Sequence, residues 1–575
     1  MSQDEAERMT RDSSAIDLDR GVEKDIEKTD DGAPGLDEET STGEDVDVEG
    51  FEPVRTQERP GEGHDMGKGN ELARTRSSAS IAEQMSLPHE IIFVSVICMA
   101  QFMTQVGLGQ CLAITHQIGD HFNLENPGEL SWLIAGYSLT VGTFILISGR
   151  FGDIFGYKLM LLIGFSWFSL WSLVAGLSWY SNHILFVFAR VLSGIGPAIM
   201  LPNGLAILGA TYAPGPRKSM VFSIFGACAP NGSIVGAVFA GLFNLTWWPW
   251  TFFSFAIALA VTTVVGYYAI PNPPRRSALM RSKDKSLRTI IAALDPLGAF
   301  TGVTALVLIN FAWNQAPIVG WNQVYVYVLL IIGCLFFAAF FYVELKISSA
   351  PLIPFEALNA DVSFVLACVA CGWACFGIWV YYLWQFIEVL RGVDPLLATA
   401  YFSPVTVSGA VASITTGFLL ERIRPSWVML IALTCFTVGT IIIMTAPVHQ
   451  IYWAQIFVCC IVIPWGMDMS FPAGTLILSN AVARKHQGIA ASLVSTIVNY
   501  GISLGLGFAG TVEVHVNNGG NTPADVLKGY RGAWYMGVGL AGLGIVISFI
   551  FVVKSYWRDS HGWSGPRDDF AEEAA

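Results

Sequence analysis

The chain is 575 residues long, 53% hydrophobic and only 13% charged, about half the charged fraction of an average soluble protein. Its net charge of −13 comes from the first 90 residues, which hold 10 Lys and Arg against 25 Asp and Glu; residues 91–575 are nearly balanced. With no basic face to neutralise phosphates, nucleic acid is excluded as a partner, and ten cysteines confined to apolar stretches (Cys98 to Cys460) exclude a disulfide-stapled secreted domain.

In chain order, residues 1–86 are rich in Asp, Glu, Ser, Thr and Gly and read as a disordered cytosolic tail, since they hold too little apolar surface to offset the entropy of ordering. From Ile91 apolar runs long enough to cross a lipid bilayer recur near 91–115, 130–149, 158–179, 184–210, 219–243, 250–270, 294–313, 323–344, 362–387, 397–420, 427–446, 451–479, 488–513 and 531–553. The expectation is an all-α polytopic membrane protein with fourteen spans. With the tail in the cytosol, the connections on that side carry fifteen basic residues and those opposite only Arg391, Lys528 and Arg531, so both termini are expected inside.

The sequence also repeats itself. Gly196-Pro-Ala-Ile-Met-Leu-Pro202-Asn-Gly204 in the fourth span lies against Gly466-Met-Asp-Met-Ser-Phe-Pro472-Ala-Gly474 in the twelfth, shifted by 270 residues. Gly232-Ser-Ile-Val-Gly236 in the fifth lies against Gly501-Ile-Ser-Leu-Gly505 in the thirteenth, shifted by 269. Parallel six-span repeats build one large class of secondary transporters, with the substrate site between the halves. The expected organisation is a six-helix half over 87–270, a basic cytosolic loop and inserted helix pair over 271–360, a second six-helix half over 361–555 and a cytosolic tail over 556–575.

The connection after the second span reads Gly149-Arg150-Phe-Gly152-Asp153-Ile-Phe-Gly156-Tyr157-Lys158. It resembles the loop signature of the major facilitator superfamily, with Tyr157 where a basic residue is usual. Arg190-Val-Leu-Ser-Gly194-Ile-Gly196 is similar to the family's buried Arg followed by glycines, and Gly226-Ala-Cys-Ala-Pro230-Asn-Gly232 resembles its antiporter signature in part. Fourteen spans and Asp295-Pro-Leu-Gly298 opening the seventh resemble the drug:proton antiporter branch. Within it, the chain most resembles the fungal aminotriazole-resistance, boron-efflux and low-affinity ammonium transporter group. The resemblance implies that Gly149, Arg150, Gly152, Asp153, Gly156 and Lys158 form a conformational latch, with Asp153 facing Arg150 or a helix N-terminus. It implies proton coupling at Arg190, and helix packing at Gly226, Pro230, Gly232 and Gly236.

Other candidates come from the residues themselves. Asp468 is a carboxylate deep in the twelfth span beside Trp465, placed to carry a proton or meet a cationic substrate. Gln105 and Gln110 give the first span neutral donors and acceptors, and Gly107 stands where many relatives carry an Asp. Tyr381, Trp384, Gln385 and Glu388 share one side of the ninth span, as a cation- or ring-binding cluster or as an interfacial aromatic belt. Trp247, Trp248, Trp250, Asn310 and Trp313 read as that belt, and Asp295 and Glu344 as interfacial anchors. No phosphate-binding loop, catalytic constellation or metal-ligand box appears, and no cofactor is expected.

The expected function is alternating-access export of a small polar or weakly basic compound against protons, by a monomer in a fungal plasma membrane or, alternatively, a vacuolar one. Low-affinity uptake of ammonium or a similar small cation is the alternative, and a non-transporting sensor signalling through the acidic tail the second.

Overall fold

The computed structural model describes residues 85–124, 127–212, 216–271, 294–348, 351–353, 360–481 and 487–560. The acidic tail over 1–84, most of the basic loop and residues 561–575 lie outside the described residues. Helices supply all regular structure among the described residues, and fourteen are long and apolar enough to cross a membrane. In lipid a backbone must satisfy its own polar groups, which helices do within one segment. The spans are Leu87–Leu112, Gly128–Phe155, Tyr157–Tyr180, His183–Thr211, Met220–Asn244, Trp250–Ala269, Pro296–Val319, Val324–Lys346, Asp361–Leu390, Pro395–Leu420, Pro425–Met444, Ile456–Leu478, Ser492–Val516 and Pro523–Trp557.

Four ends differ most from expectation: the second span runs on to Phe155, so that only Gly156 separates it from the third, and the seventh runs on to Val319. The twelfth span starts at Ile456, because residues 451–455 form turns, and the fourteenth helix starts at Pro523. Arg531 is therefore inside that helix, reaching the Ala446 carbonyl.

The repeat in sequence is a repeat in packing. Glycines let neighbouring backbones approach where a side chain would hold them apart. A Cβ on Gly236 would lie 2.6 Å from the Val106 carbonyl oxygen, and one on Gly505 2.8 Å from that of Ala374. The fifth span thus seats on the first as the thirteenth seats on the ninth. Gly204 of the fourth span faces Ile97 and Ala100 of the first; Gly474 of the twelfth faces Val369 and Val365 of the ninth.

The halves meet along two seams. At the first, the second span lies on the thirteenth over its whole length: Ser503 Oγ is 2.9 Å from the Ala135 carbonyl, Gly142 abuts the Tyr500 backbone, and Gly149 faces Ser492. The seventh span joins this seam through a polar network in which Asn310 Oδ1 lies 2.9 Å from both Ser503 Oγ and Asn314 Nδ2. Asn310 is fully buried, so it is a docking residue and not part of an interfacial belt. The eighth span packs on the seventh at the periphery: 17% of its apolar stretch is buried, against 83% of the second span's.

At the other seam the fifth span crosses the tenth. Near the end opposite the Gly149–Lys158 loop, Gly241 packs on Leu396; midway, Pro230 packs on Gly409. Toward the loop end, Gly226 and Gly417 have nothing within 4 Å of where a Cβ would stand. At this seam the fifth and tenth spans therefore pack at the opposite face and midway, while toward the loop end Gly226 and Gly417 stand clear of neighbours. Gly226 lies beside that open stretch, exposed, and does not pack helices as expected, whereas Pro230, Gly232 and Gly236 do.

Candidate functional site

The break between two helical pieces of the fourth span, His183–Ser193 and Ile195–Thr211, places Arg190 in the core of the first half. Its side chain is 1% exposed. Nη2 donates to the Gly107 carbonyl at 2.8 Å, Nε to the Leu133 carbonyl at 3.2 Å, and the guanidinium lies 4.7 Å from the centre of the Tyr137 ring. Gly107 thus meets Arg190 through its backbone. A Cβ there would lie 2.6 Å from the Phe168 ring and 3.2 Å from Tyr137 Oη, so this first span has no room for a carboxylate at that place.

Asp468 sits midway along the twelfth span, half-buried, where the tenth span crosses the fifth. Its Oδ2 is buried without a hydrogen-bond partner and lies 2.8 Å from a Cβ position on Gly409, the residue that also touches Pro230. Ser413, one turn along the tenth span, is its polar neighbour. Trp465 is half-buried one turn before it. The carboxylate is thus at the junction of the halves, and nothing among the described residues neutralises it.

The other expected binding residues fall in separate places. Gln105 is half-exposed and packs against Gly232 of the fifth span. Gln110 is buried, with Nε2 unpartnered. Gln385 ends the regular part of the ninth helix and its Oε1 accepts from Nε2 of His116 of the first half, a direct bridge between halves at the opposite face. Burial lowers the pKa of His116 from its ordinary 6.5, against the opposing pull of Gln385 and Asp120. Trp384 stacks on Phe402 of the tenth span at 4.4 Å. Tyr381 points to a separate cluster with Tyr382, Tyr530 and Glu513. Trp248 is buried among His121, Trp179 and Phe186, so of the three tryptophans only Trp250, 46% exposed, fits a belt outright.

Sequence reasoning passed over Glu513. It lies one turn before the end of the thirteenth helix, 5% exposed, and accepts a hydrogen bond from Tyr382 Oη at 2.7 Å. Glu90, another buried carboxylate, accepts from Tyr212 at 2.8 Å and pairs with Arg217, tying the first span to the start of the fifth helix. The signal in both was an acid inside a helical run whose ends were drawn too short.

In the loop after the second span, Gly156 takes φ +100°, a left-handed backbone that suits glycine, and starts the third span. Gly152 packs so tightly against Asn203 of the fourth span that any Cβ would collide with Oδ1. Asp153 does not face Arg150: it accepts from Tyr157 Oη at 2.6 Å, the residue standing in a usually basic position. Lys158 donates to the Ile270 carbonyl at 2.6 Å, within the first half. Arg150 reaches out of the first half, to the Pro351 carbonyl beyond the eighth span.

Against known families, residues 91–422 and 362–568 match the model described as Major Facilitator Superfamily. The chain belongs to the major facilitator superfamily. Its similarity to named superfamily members runs through the whole membrane region. It is 56% identical over 82% of its length, and 90% of the relative's, to a Saccharomyces cerevisiae protein named low affinity ammonium transporter. It is 46% identical over 84% of its length, and 92% of the relative's, to efflux pump terJ of Aspergillus terreus. To the aminotriazole resistance protein of S. cerevisiae it is 38% identical over 81% of its length and 84% of the relative's. As a superfamily transporter the chain carries a small molecule across a membrane.

Proposed function

We propose that this transporter exports a small polar or weakly basic compound by alternating access, in exchange for protons carried by Asp468. The observation that carries the reading is the buried, unpartnered Oδ2 of Asp468 at the crossing of the halves. A carboxylate there costs least when protonated, and it changes surroundings whenever the fifth and tenth spans separate. Arg190 has carbonyl partners and lies inside one half, so its part is to hold the first span in shape beside the path. Gln105 and Trp465, both half-buried, supply a neutral amide and an aromatic face for an uncharged or weakly charged solute. The Gly149–Lys158 loop, through Arg150, latches the loop face, which is cytosolic in this reading; the protein works as a monomer in the plasma membrane.

A second reading, low-affinity ammonium uptake, is favoured by the 56% identical relative of that name and by a first span without a carboxylate. Both are tested by solute flux and pH change in proteoliposomes, wild type beside Asp468→Asn, with ammonium, borate and aminotriazole offered in turn. Proton movement opposite to solute, lost in the variant, supports exchange. Ammonium flux unlinked to protons and unchanged by the variant sinks it and leaves uptake.

A further inference from the structure

At the loop face the seventh span begins and the eighth ends side by side. Asp295 precedes the seventh span in a left-handed backbone (φ 45°), and its Oδ1 accepts from Gly298 N at 3.0 Å as a helix cap. Its other oxygen, Oδ2, is buried with no partner. Glu344, on the last turn of the eighth span, accepts from Ile353 N at 3.4 Å with Oε2, and its Oε1 is likewise buried with no partner. Asp295 is 6% exposed and Glu344 3%. The two orphaned oxygens converge over Gly298: a Cβ there would collide with Asp295 Oδ2 and lie 2.6 Å from Glu344 Oε1. Two carboxyl groups this close, out of water, repel when both are charged, since each raises the cost of charge on the other.

Among the described residues, no charged group is seen to pair with either of the two orphaned oxygens. The seventh span contributes only Asp295 and the eighth only Glu344, its Lys346 being exposed. The strap over 351–353 contributes backbone N–H groups. From the second span comes Arg150, whose guanidinium donates to the Pro351 carbonyl of that same strap. Leu352 packs with Ile147 and Phe340, and Phe151 joins them. The strap is thus held from one side by Glu344 and from the other by the second span and its loop.

We propose that Asp295 and Glu344 form a proton site, one proton shared between Oδ2 and Oε1, and that this proton keeps the 351–353 strap where Arg150 grips it. The proton comes from the water at the loop face and takes the pair from charge −2 to −1. Its loss sets two carboxylates against each other, swings Glu344 away from Ile353 and frees the strap from the eighth span. The inserted pair then acts as a pH-responsive anchor for the loop, whatever the transported solute.

The full-length protein in lipid nanodiscs tests this by hydrogen exchange at Leu352 and Ile353, with each rate corrected for its intrinsic pH dependence. In wild type the protection is expected to fall about tenfold per pH unit once the shared proton leaves. Glu344→Gln, whose amide donates to Asp295 while its oxygen still accepts from Ile353, is expected to stay protected at every pH; Glu344→Ala loses protection at every pH. Infrared spectra of the wild type are expected to show a protonated-carboxyl band that Asp295→Asn with Glu344→Gln removes. Protection in Glu344→Gln that matches Glu344→Ala, or wild-type protection flat with pH, overturns the proposal. So does a missing carboxyl band, or one that sodium or ammonium displaces at constant pH, which would make the pair a cation site instead.

Discussion

In the first half a buried cation, Arg190, directs its donors to the carbonyls of Gly107 and Leu133 and lies over Tyr137; in the second half a half-buried carboxyl group, Asp468, leaves one buried oxygen with no partner. The two halves repeat one backbone plan, yet the first fills its interior and the second keeps a charge in waiting. The glycine contacts run the same way. A Cβ on Gly109 would collide with the Ser233 carbonyl, while one on its counterpart Gly377 would clear Ile502 by 3.0 Å. A duplicated fold can therefore divide its labour: a tightly tied half as the fixed wall, and a looser half that bears the titratable group.

The packing contrast gives the largest expected effect. Gly109→Ala forces the fifth span off the first, a backbone clash with no side chain able to yield, at a cost of about 3 kcal/mol or more. Gly377→Ala meets the corresponding thirteenth span at greater distance and should cost about 1 kcal/mol. Thermal unfolding of the two purified variants, compared with wild type, checks this; equal losses would erase the difference between halves.

Next comes the buried cation. Arg190→Met leaves the Gly107 and Leu133 carbonyls without donors in a water-free site, which should lower stability by about 2–3 kcal/mol. Arg190→Lys should recover less than half of that, because one ammonium cannot reach two carbonyls and stack on Tyr137 together. Asp468→Asn should move stability by less than about 1 kcal/mol, as an amide suits an unpartnered site at least as well as a carboxylate does. A large loss in Asp468→Asn would show that the second half depends on its charge as the first depends on Arg190.

Hydropathy revealed the fourteen spans because lipid demands long apolar helices, and the glycine spacing at shifts of 270 and 269 revealed the repeat because close packing demands small residues at matching turns. Asp468 and Arg190 were legible as charges in apolar runs. What escaped was anything set by neighbours far along the chain. Glu513 looked like the end of a span until Tyr382 came to cover it, and Arg150 and Asp153, adjacent in motif, took partners in different places. Asp295 and Glu344 lie 49 positions apart, and only the meeting of two helix ends over Gly298 makes them a pair.

The smallest expected effect lies at the bridge that joins the halves on the face opposite the loop. His116 of the first half bonds Gln385 of the second, and burial lowers its pKa from 6.5. A histidine with a lowered value favours the neutral ring in the closed arrangement. The bridge's contribution is then complete above pH 6.5, weakens as pH falls below it, and is gone once pH drops under the lowered value. Acid on that face should open it, and alkali should not. A fluorescent label on Gln450→Cys, whose backbone carbonyl accepts from Arg391 just past Gln385, in a cysteine-free background would report more solvent as pH is lowered from 7 toward 5, over roughly the range where histidine titrates. His116→Asn retains a hydrogen-bonding amide but no titratable ring, so its signal should stay flat. A wild-type signal equally flat would mean that the bridge is held by packing around Trp384 and Phe402, and that the two halves separate on this face without regard to protons.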